Sequence, residues 1–317
     1  MSKFKEIDLT SQKKYSLSVR ESKVDKSLFY RTGRTNELSS FVSRLPDILQ
    51  AKGLKELLDK CYIAHKEGKP VIVALGGHII KCGLSPLLNE LIDQRIISCL
   101  AGNGAVAIHD FELALSGKTS EDVASALEDG TFGMAQETGE LINKAITTAA
   151  VEKLGFGEGL GIFIEQYKPP NKSLSILANA YNKDIPFTVH VALGTDIIHQ
   201  HKEADGAAIG ECTLRDFRIF CEQVKGLNDG GVFLNLGSAV IMPEVFLKAI
   251  TVVRNLGYSL NNFTTAVFDM NLHYRPRINV VERPTSKGGK GYYFVGHHEI
   301  MIPFFFAVLQ ERIHKNA

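Results

Sequence analysis

Histidine is the residue whose placement first suggests chemistry in this 317-residue chain. Ten are present, and His78, His109, His199, His201, His273, His297 and His298 fall at or just past the ends of apolar runs. Imidazole changes charge near neutral pH, so histidines in such places are candidate general acids, general bases or metal ligands. His109, His201, His273 and His297 are the acid–base candidates. Asp196-Ile-Ile-His199-Gln-His201 could instead offer a carboxylate and two imidazoles to a divalent metal, with His297-His298-Glu299 adding more. No HExxH spacing supports a metal, and histidines so placed are more often hydrogen-bonded walls of a site than ligands. Asp110 and Glu112 behind His109 read as first-turn acids on a helix dipole, and Asp216 reads likewise, with Thr213 as the cap. Cys212 and Cys221 lack an activating partner in sequence, and no GxSxG elbow occurs.

The elements that must position these residues follow from the apolar pattern. Val71–Leu75 reads as a buried strand and Gly76-Gly77 as a tight turn. Ser85 then caps a helix with Pro86 at its first position. Ile96–Ala101 is a second strand, ending at Gly102-Asn103-Gly104-Ala105 before Ile108-His109-Asp110. Phe187–Leu193 stops at Gly194-Thr195-Asp196, Gly231–Leu236 at Gly237-Ser238, and Phe263–Phe268 at Asp269-Met270-Asn271. Every strand therefore ends in small, polar or titratable residues. In an open parallel sheet those ends share one edge, where ligands bind. Continuous apolar strands alternating with helices predict a doubly wound parallel α/β sheet covered on both faces. Helices are also expected over Met134–Leu154, Ser173–Tyr181 and Glu299–His314, while Gly155–Gly161 and Thr285–Gly291 read as loops.

Composition bounds the remaining choices. A net charge of +1 gives no electrostatic footprint for nucleic acid or an anionic membrane. The five cysteines are scattered without a CxxC, which fits a reducing compartment. The N-terminus has no apolar signal-peptide core, and Ile300–Leu309 is too short to span a bilayer. A cytoplasmic protein is expected. Residues 1–35 read as a polar N-terminal arm, either a solvated tail or laid on a neighbouring subunit, and 36–317 as one Rossmann-like domain.

The order and spacing of these motifs resemble the deoxyhypusine synthase superfamily from about Val71 to Leu309. Gly76-Gly77-His78 stands where that family has its first dinucleotide-contacting turn, and Asn103-Gly104-Ala105 with His109-Asp110 at the second. Thr195-Asp196 matches a Thr-Asp pair, Gly230 through Gly237-Ser238 a glycine-rich turn, and Arg275-Pro276 an Arg-Pro in the substrate loop. The resemblance implies a Rossmann-like fold, NAD as cofactor, and a homotetramer. It implies a dinucleotide site lined by Gly76, Gly77, His78, Asn103, Gly104, Ala105, Asp196, Gly237 and Ser238. Three departures bear on chemistry. Pro284 falls where the family has its imine-forming lysine, Ile241-Met242 replace a Lys-His pair, and His201 replaces the acid that holds the polyamine ammonium. The chain also has no Trp, where the family has a Trp-Gly pair.

The expectation is an NAD-binding enzyme acting on a small, amine- or polyamine-related substrate, but not an authentic deoxyhypusine synthase. A metal-dependent hydrolase or lyase using Asp196, His199 and His201 is one rival. A non-catalytic nucleotide-binding paralogue is the other.

Overall fold

A computed structural model describes residue 13, residues 26–33 and residues 36–315. Most of the arm expected over residues 1–35 therefore lies outside the described residues. Among the described residues six strands form one all-parallel sheet: β1 Val71–Leu75, β2 Cys99–Asn103, β3 Phe187–His190, β4 Val232–Leu236, β5 Thr264–Asp269 and β6 Lys290–Val295. Their order across the sheet is β3-β2-β1-β4-β5-β6, the order of the Rossmann fold, which reverses between β1 and β4.

The helices are α1 Leu38–Arg44, α2 Leu49–Lys66, α3 Gly77–Lys81, α4 Ser85–Asp93, α5 Gly104–Ser116, α6 Val123–Glu128, α7 Gln136–Val151, α8 Phe156–Tyr167, α9 Ile176–Asn182, α10 Gly206–Lys225, α11 Ile241–Asn255, α12 Tyr274–Pro276 and α13 His298–Lys315. Alternate residues of each strand feed opposite faces of the sheet, as the two-residue period requires. Val71, Val73 and Leu75 pack under α2, α5, α7, α8 and α13, together with Val232, Leu234 and Leu236. Ile72, Ala74, Ala101, Phe233 and Val267 pack on the other side against α11 and the second half of α10, where Phe233 stacks on Phe246. The sheet is thus doubly wound, and none of the described helices is long and apolar enough to cross a membrane.

The expected segments Met134–Leu154, Ser173–Tyr181 and Glu299–His314 correspond to α7, α9 and α13. Three local expectations change. Gly155–Gly161 is not a loop but the N-cap and first turns of α8. Its glycines serve close packing: a Cβ on Gly157 would meet the Phe187 carbonyl at 1.8 Å, and one on Gly159 would meet the Ala149 Cβ at 2.3 Å. Gly76-Gly77 opens the short helix α3, with Gly76 as its N-cap. Thr285–Gly291 is a hydrogen-bonded turn running into β6, whose first residue Lys290 pairs with Glu56. Because Lys290 registers with Thr264 at the start of β5, this turn lies at the amino edge of the sheet. Pro284 is buried there, its carbonyl accepting from Arg254, so neither it nor Lys287 faces the strands' carboxyl ends.

Candidate functional site

The carboxyl ends of the strands carry the motifs singled out above. They divide into two groups that meet at α3.

The first group surrounds a cavity of about 760 Å³ beyond β2 and β3, lined among others by Lys81, Ala105, His109, Glu112, Thr119 and Asp196. Asn103 ends β2 and caps α5, its Oδ1 accepting from the Val106 amide at 3.2 Å. One turn into α5, His109 Nδ1 lies 2.6 Å from the Thr119 hydroxyl. That hydroxyl donates its proton to Glu112 Oε2 at 2.5 Å. A hydroxyl has one proton to give, so Nδ1 of His109 must donate to it. The neutral ring therefore carries its lone pair on Nε2. Thr138 donates to the other Glu112 oxygen at 3.0 Å. Burial alone would raise the Glu112 carboxyl, but His109 and the two threonine hydroxyls outweigh it and hold the group below the ordinary range. The arrangement is a histidine held in one tautomer by a relay ending in a carboxylate.

Asp196 follows β3 at the start of a short 3₁₀ turn, Ile197–Gln200. Its carboxylate packs on the first residue of α5: a Cβ on Gly104 would meet Asp196 Oδ2 at 2.0 Å. Only glycine leaves that space. Oδ2 is buried without a hydrogen-bond partner among the described residues, and burial raises the carboxyl to about 6. A buried acceptor without a donor is costly unless a ligand or water supplies one.

The remaining histidines do not join this group as one cluster. His199 Nδ1 accepts from the Gly194 and Asp196 amides at 3.1 and 3.2 Å. His201 Nε2 bonds the Gly133 carbonyl at 2.8 Å, and its ring fills the space beside Gly139. Asp196, His199 and His201 do not gather their ligand atoms within 4.8 Å of one another. His273 lies beyond β5 with Nε2 3.5 Å from Asp269 Oδ1, and His297 is exposed with Nδ1 3.8 Å from Glu299.

The second group lies at the reversal of strand order. A Cβ on Gly76 would collide with the Gly237 carbonyl at 2.1 Å, and the Gly76 amide donates to the Leu236 carbonyl at 2.9 Å. The ends of β1 and β4 therefore touch through backbone. Ser238 is taken up in the fold, its hydroxyl accepting from the Met242 amide at 3.2 Å and its carbonyl from Asn235 at 2.9 Å. Gly77 packs on Ala105 and His109, which joins α3 to α5. His78, Cys82 and His298 come together where α3 meets the start of α13, and none of them lines the cavity. Sequence reading overlooked Cys82, and it overlooked the Thr119–Glu112–Thr138 relay because its members come from α5, the loop after it and α7.

No family model matches the chain, and none of the curated proteins does. Solved structures do. Unliganded AgrE superposes with a TM-score of 0.54 at 14% identity, over 90% of this chain and 34% of that one. AgrE in its ternary complex with ornithine and NAD+ gives 0.51 at 13% identity, over 84% and 33%. A protein assigned as a deoxyhypusine synthase from Entamoeba histolytica gives 0.51 at 9% identity, over 84% of this chain and 91% of that one. The chain spans about a third of the length of AgrE and of ArgZ, an arginine dihydrolase of cyanobacteria. At such identities the agreement is one of architecture: the chain is a divergent representative of the Rossmann-like fold shared by the deoxyhypusine synthase-like proteins and AgrE.

Proposed function

We propose that this chain is an NAD-dependent enzyme acting on a small amine-bearing substrate in the cavity beyond β2 and β3. The observation that carries the reading is the His109–Thr119–Glu112 relay lining the same cavity as Asp196, a half-buried carboxylate whose Oδ2 lacks a donor among the described residues. The fit to a dinucleotide rests on that orphaned oxygen and on glycine at position 104, which lets the carboxylate lie against the start of α5. Asp196 would take hydrogen bonds from ribose hydroxyls, and the Asn103–Ala105 turn would form the wall beside it. When bound, NAD supplies a hydride acceptor. His109 accepts through Nε2 the proton that a substrate ammonium must release, and the relay stabilises the imidazolium so formed. Glu112, Glu121, Glu137 and Asp196 line the cavity against Lys81 and Lys118, an excess of acids that favours a cationic substrate. A solved neighbour that binds ornithine together with NAD+ supports a basic, amine-bearing substrate class. Deoxyhypusine synthesis is not expected, because buried Pro284 stands where the resemblance requires an amine.

Calorimetry with NAD tests the cofactor half. Asp196→Ala is expected to weaken binding by about 1.5–3 kcal/mol, the range for hydrogen bonds to a charged group. Unchanged affinity removes Asp196 from the site, and a wild-type chain that binds no NAD overturns the reading. Production of NADH from a panel of diamines, polyamines and basic amino acids tests the substrate half. There His109→Gln should lower turnover by about 10²–10⁴-fold while leaving NAD affinity in place.

A further inference from the structure

We propose that His78, Cys82 and His298 form a site for a divalent transition metal of the zinc type, at the point where the strand order reverses. The ligand atoms of these three side chains all lie within 4.8 Å of one another. Zinc holds nitrogen at about 2.0–2.1 Å and sulfur at about 2.3 Å, which places tetrahedral ligands about 3.5 Å apart, so small side-chain rotations close the site. His78 lies on α3 and Cys82 is its C-cap four residues on, the Cys82 amide donating to the His78 carbonyl at 2.9 Å, so the two project from one side of that turn. His298 enters from the first turn of α13, across the chain in sequence, with its ring centroid 5.5 Å from that of His78.

A second, independent observation points to a ligand. His298 is 2% exposed, and both of its ring nitrogens are buried without a hydrogen bond of ordinary geometry among the described residues. A buried imidazole normally uses at least one nitrogen. Gly237 makes room for the ring: it sits at φ +66°, and a Cβ there would press on His298 at 3.1 Å. The donors decide the metal class. Two imidazoles and a thiolate suit zinc or cobalt, whereas magnesium and calcium favour oxygen. On binding, the Cys82 thiol gives its proton to solvent and the sulfur becomes an anionic ligand. Cys82 Sγ now lies 3.9 Å from Glu299 Oε2, so that carboxylate is next to the sulfur and can accept a hydrogen bond from a metal-bound water. Three protein ligands leave a fourth position open, the arrangement of catalytic rather than structural zinc. The site does not depend on the NAD reading, since none of its three ligands lines the cavity that holds His109 and Asp196.

Cobalt(II) is the probe, titrated in the absence of NAD into the full chain after treatment with chelator. The expected result is about one ion per chain, the stoichiometry of a mononuclear site, with a thiolate-to-cobalt charge-transfer band. Zinc should displace the cobalt and excess magnesium should not. Cys82→Ser should abolish the charge-transfer band with circular dichroism unchanged, because Cys82 is half-buried and the other four cysteines are buried in the core. His298→Gln should lower the bound stoichiometry. Absence of the band in natively folded wild type, its survival in Cys82→Ser, or displacement by magnesium overturns the proposal.

Discussion

Asp216 illustrates how a residue's sequence neighbours can mislead. In sequence it resembles a surface acid near a helix start, yet it is 1% exposed, in the middle of α10. It accepts from the Gly157 amide at 3.0 Å and the Val189 amide at 2.7 Å, tying α8 and β3 to α10. Asp110 does the same for α9, accepting from Ser175 and the Ile176 amide at 2.6 and 2.7 Å. Both roles were illegible in sequence because the donors, backbone amides and the Ser175 hydroxyl, lie tens of residues away. Burial raises the Asp216 carboxyl to about 7 from an ordinary 3.8, despite those amide bonds. A raised carboxyl binds its proton more tightly folded than unfolded. Its contribution to stability is therefore full below about 3.8 and is lost as pH rises through about 7. Denaturant unfolding at pH 5 and pH 8 checks this. The wild type should lose stability between the two, and Asp216→Asn should lose less. An equal loss in both would show that Asp216 titrates as an ordinary carboxyl. Asp216→Ala should cost about 1–3 kcal/mol at pH 5, by stranding two amides, and less at pH 8.

At the scale of elements, the five strands with long apolar runs were legible, and so was the shared edge where their polar ends meet. β6 was less so: Gly289 and Gly291 frame Lys290, and its outer residues Lys290 and Val295 are exposed, as suits an edge strand. The helix α8 was missed for a different reason. Glycine lowers helix propensity, and GFGEGLG reads as a break, but tertiary packing decided the outcome. The helix crosses so close to Phe187, Ala149 and Leu177 that side chains at 157, 159 and 161 would collide with them. The relay and the His78–Cys82–His298 cluster were hidden likewise, because α3, α5 and α13 converge only once the sheet is wound. Two glycine substitutions separate propensity from packing. Gly210 lies inside α10, and a Cβ added there would meet nothing within 4 Å, so Gly210→Ala should stabilise by about 0.5–1 kcal/mol. Gly157→Ala should destabilise despite the same gain in helix propensity, since its Cβ meets a strand carbonyl at 1.8 Å. Thermal melts of the pair suffice, and shifts of the same sign would defeat the argument.

For the whole molecule, the carboxyl edge of the sheet carries an exposed apolar rim as well as the cavity. Leu193 beyond β3 is 62% exposed, Leu272 and Tyr274 beyond β5 are 63% and 66%, and Ile300 beyond β6 is 65%. Large apolar side chains exposed beyond the strand ends of one edge are costly in water and point to a surface that a partner covers. A second copy of the same chain is the occupant that the family resemblance implies. Closed symmetry lets one self-complementary patch cover another. Segment 26–33 is tied to the body nearby in sequence, through the Leu28 carbonyl accepting from the Asp47 amide and the Arg31 amide donating to the Arg44 carbonyl. Phe29 within it is 58% exposed, which adds apolar surface of its own. We therefore expect a homo-oligomer in which the loops after β5 lie at or beside a subunit boundary. Light scattering at micromolar concentration should give a multiple of the 34.9 kDa chain mass. Leu272→Asp combined with Tyr274→Asp should shift it toward the monomer while the circular dichroism of the folded chain persists. A clean monomer in the wild type would show that the rim serves something other than self-assembly, and an oligomer untouched by the double variant would move the interface off this edge.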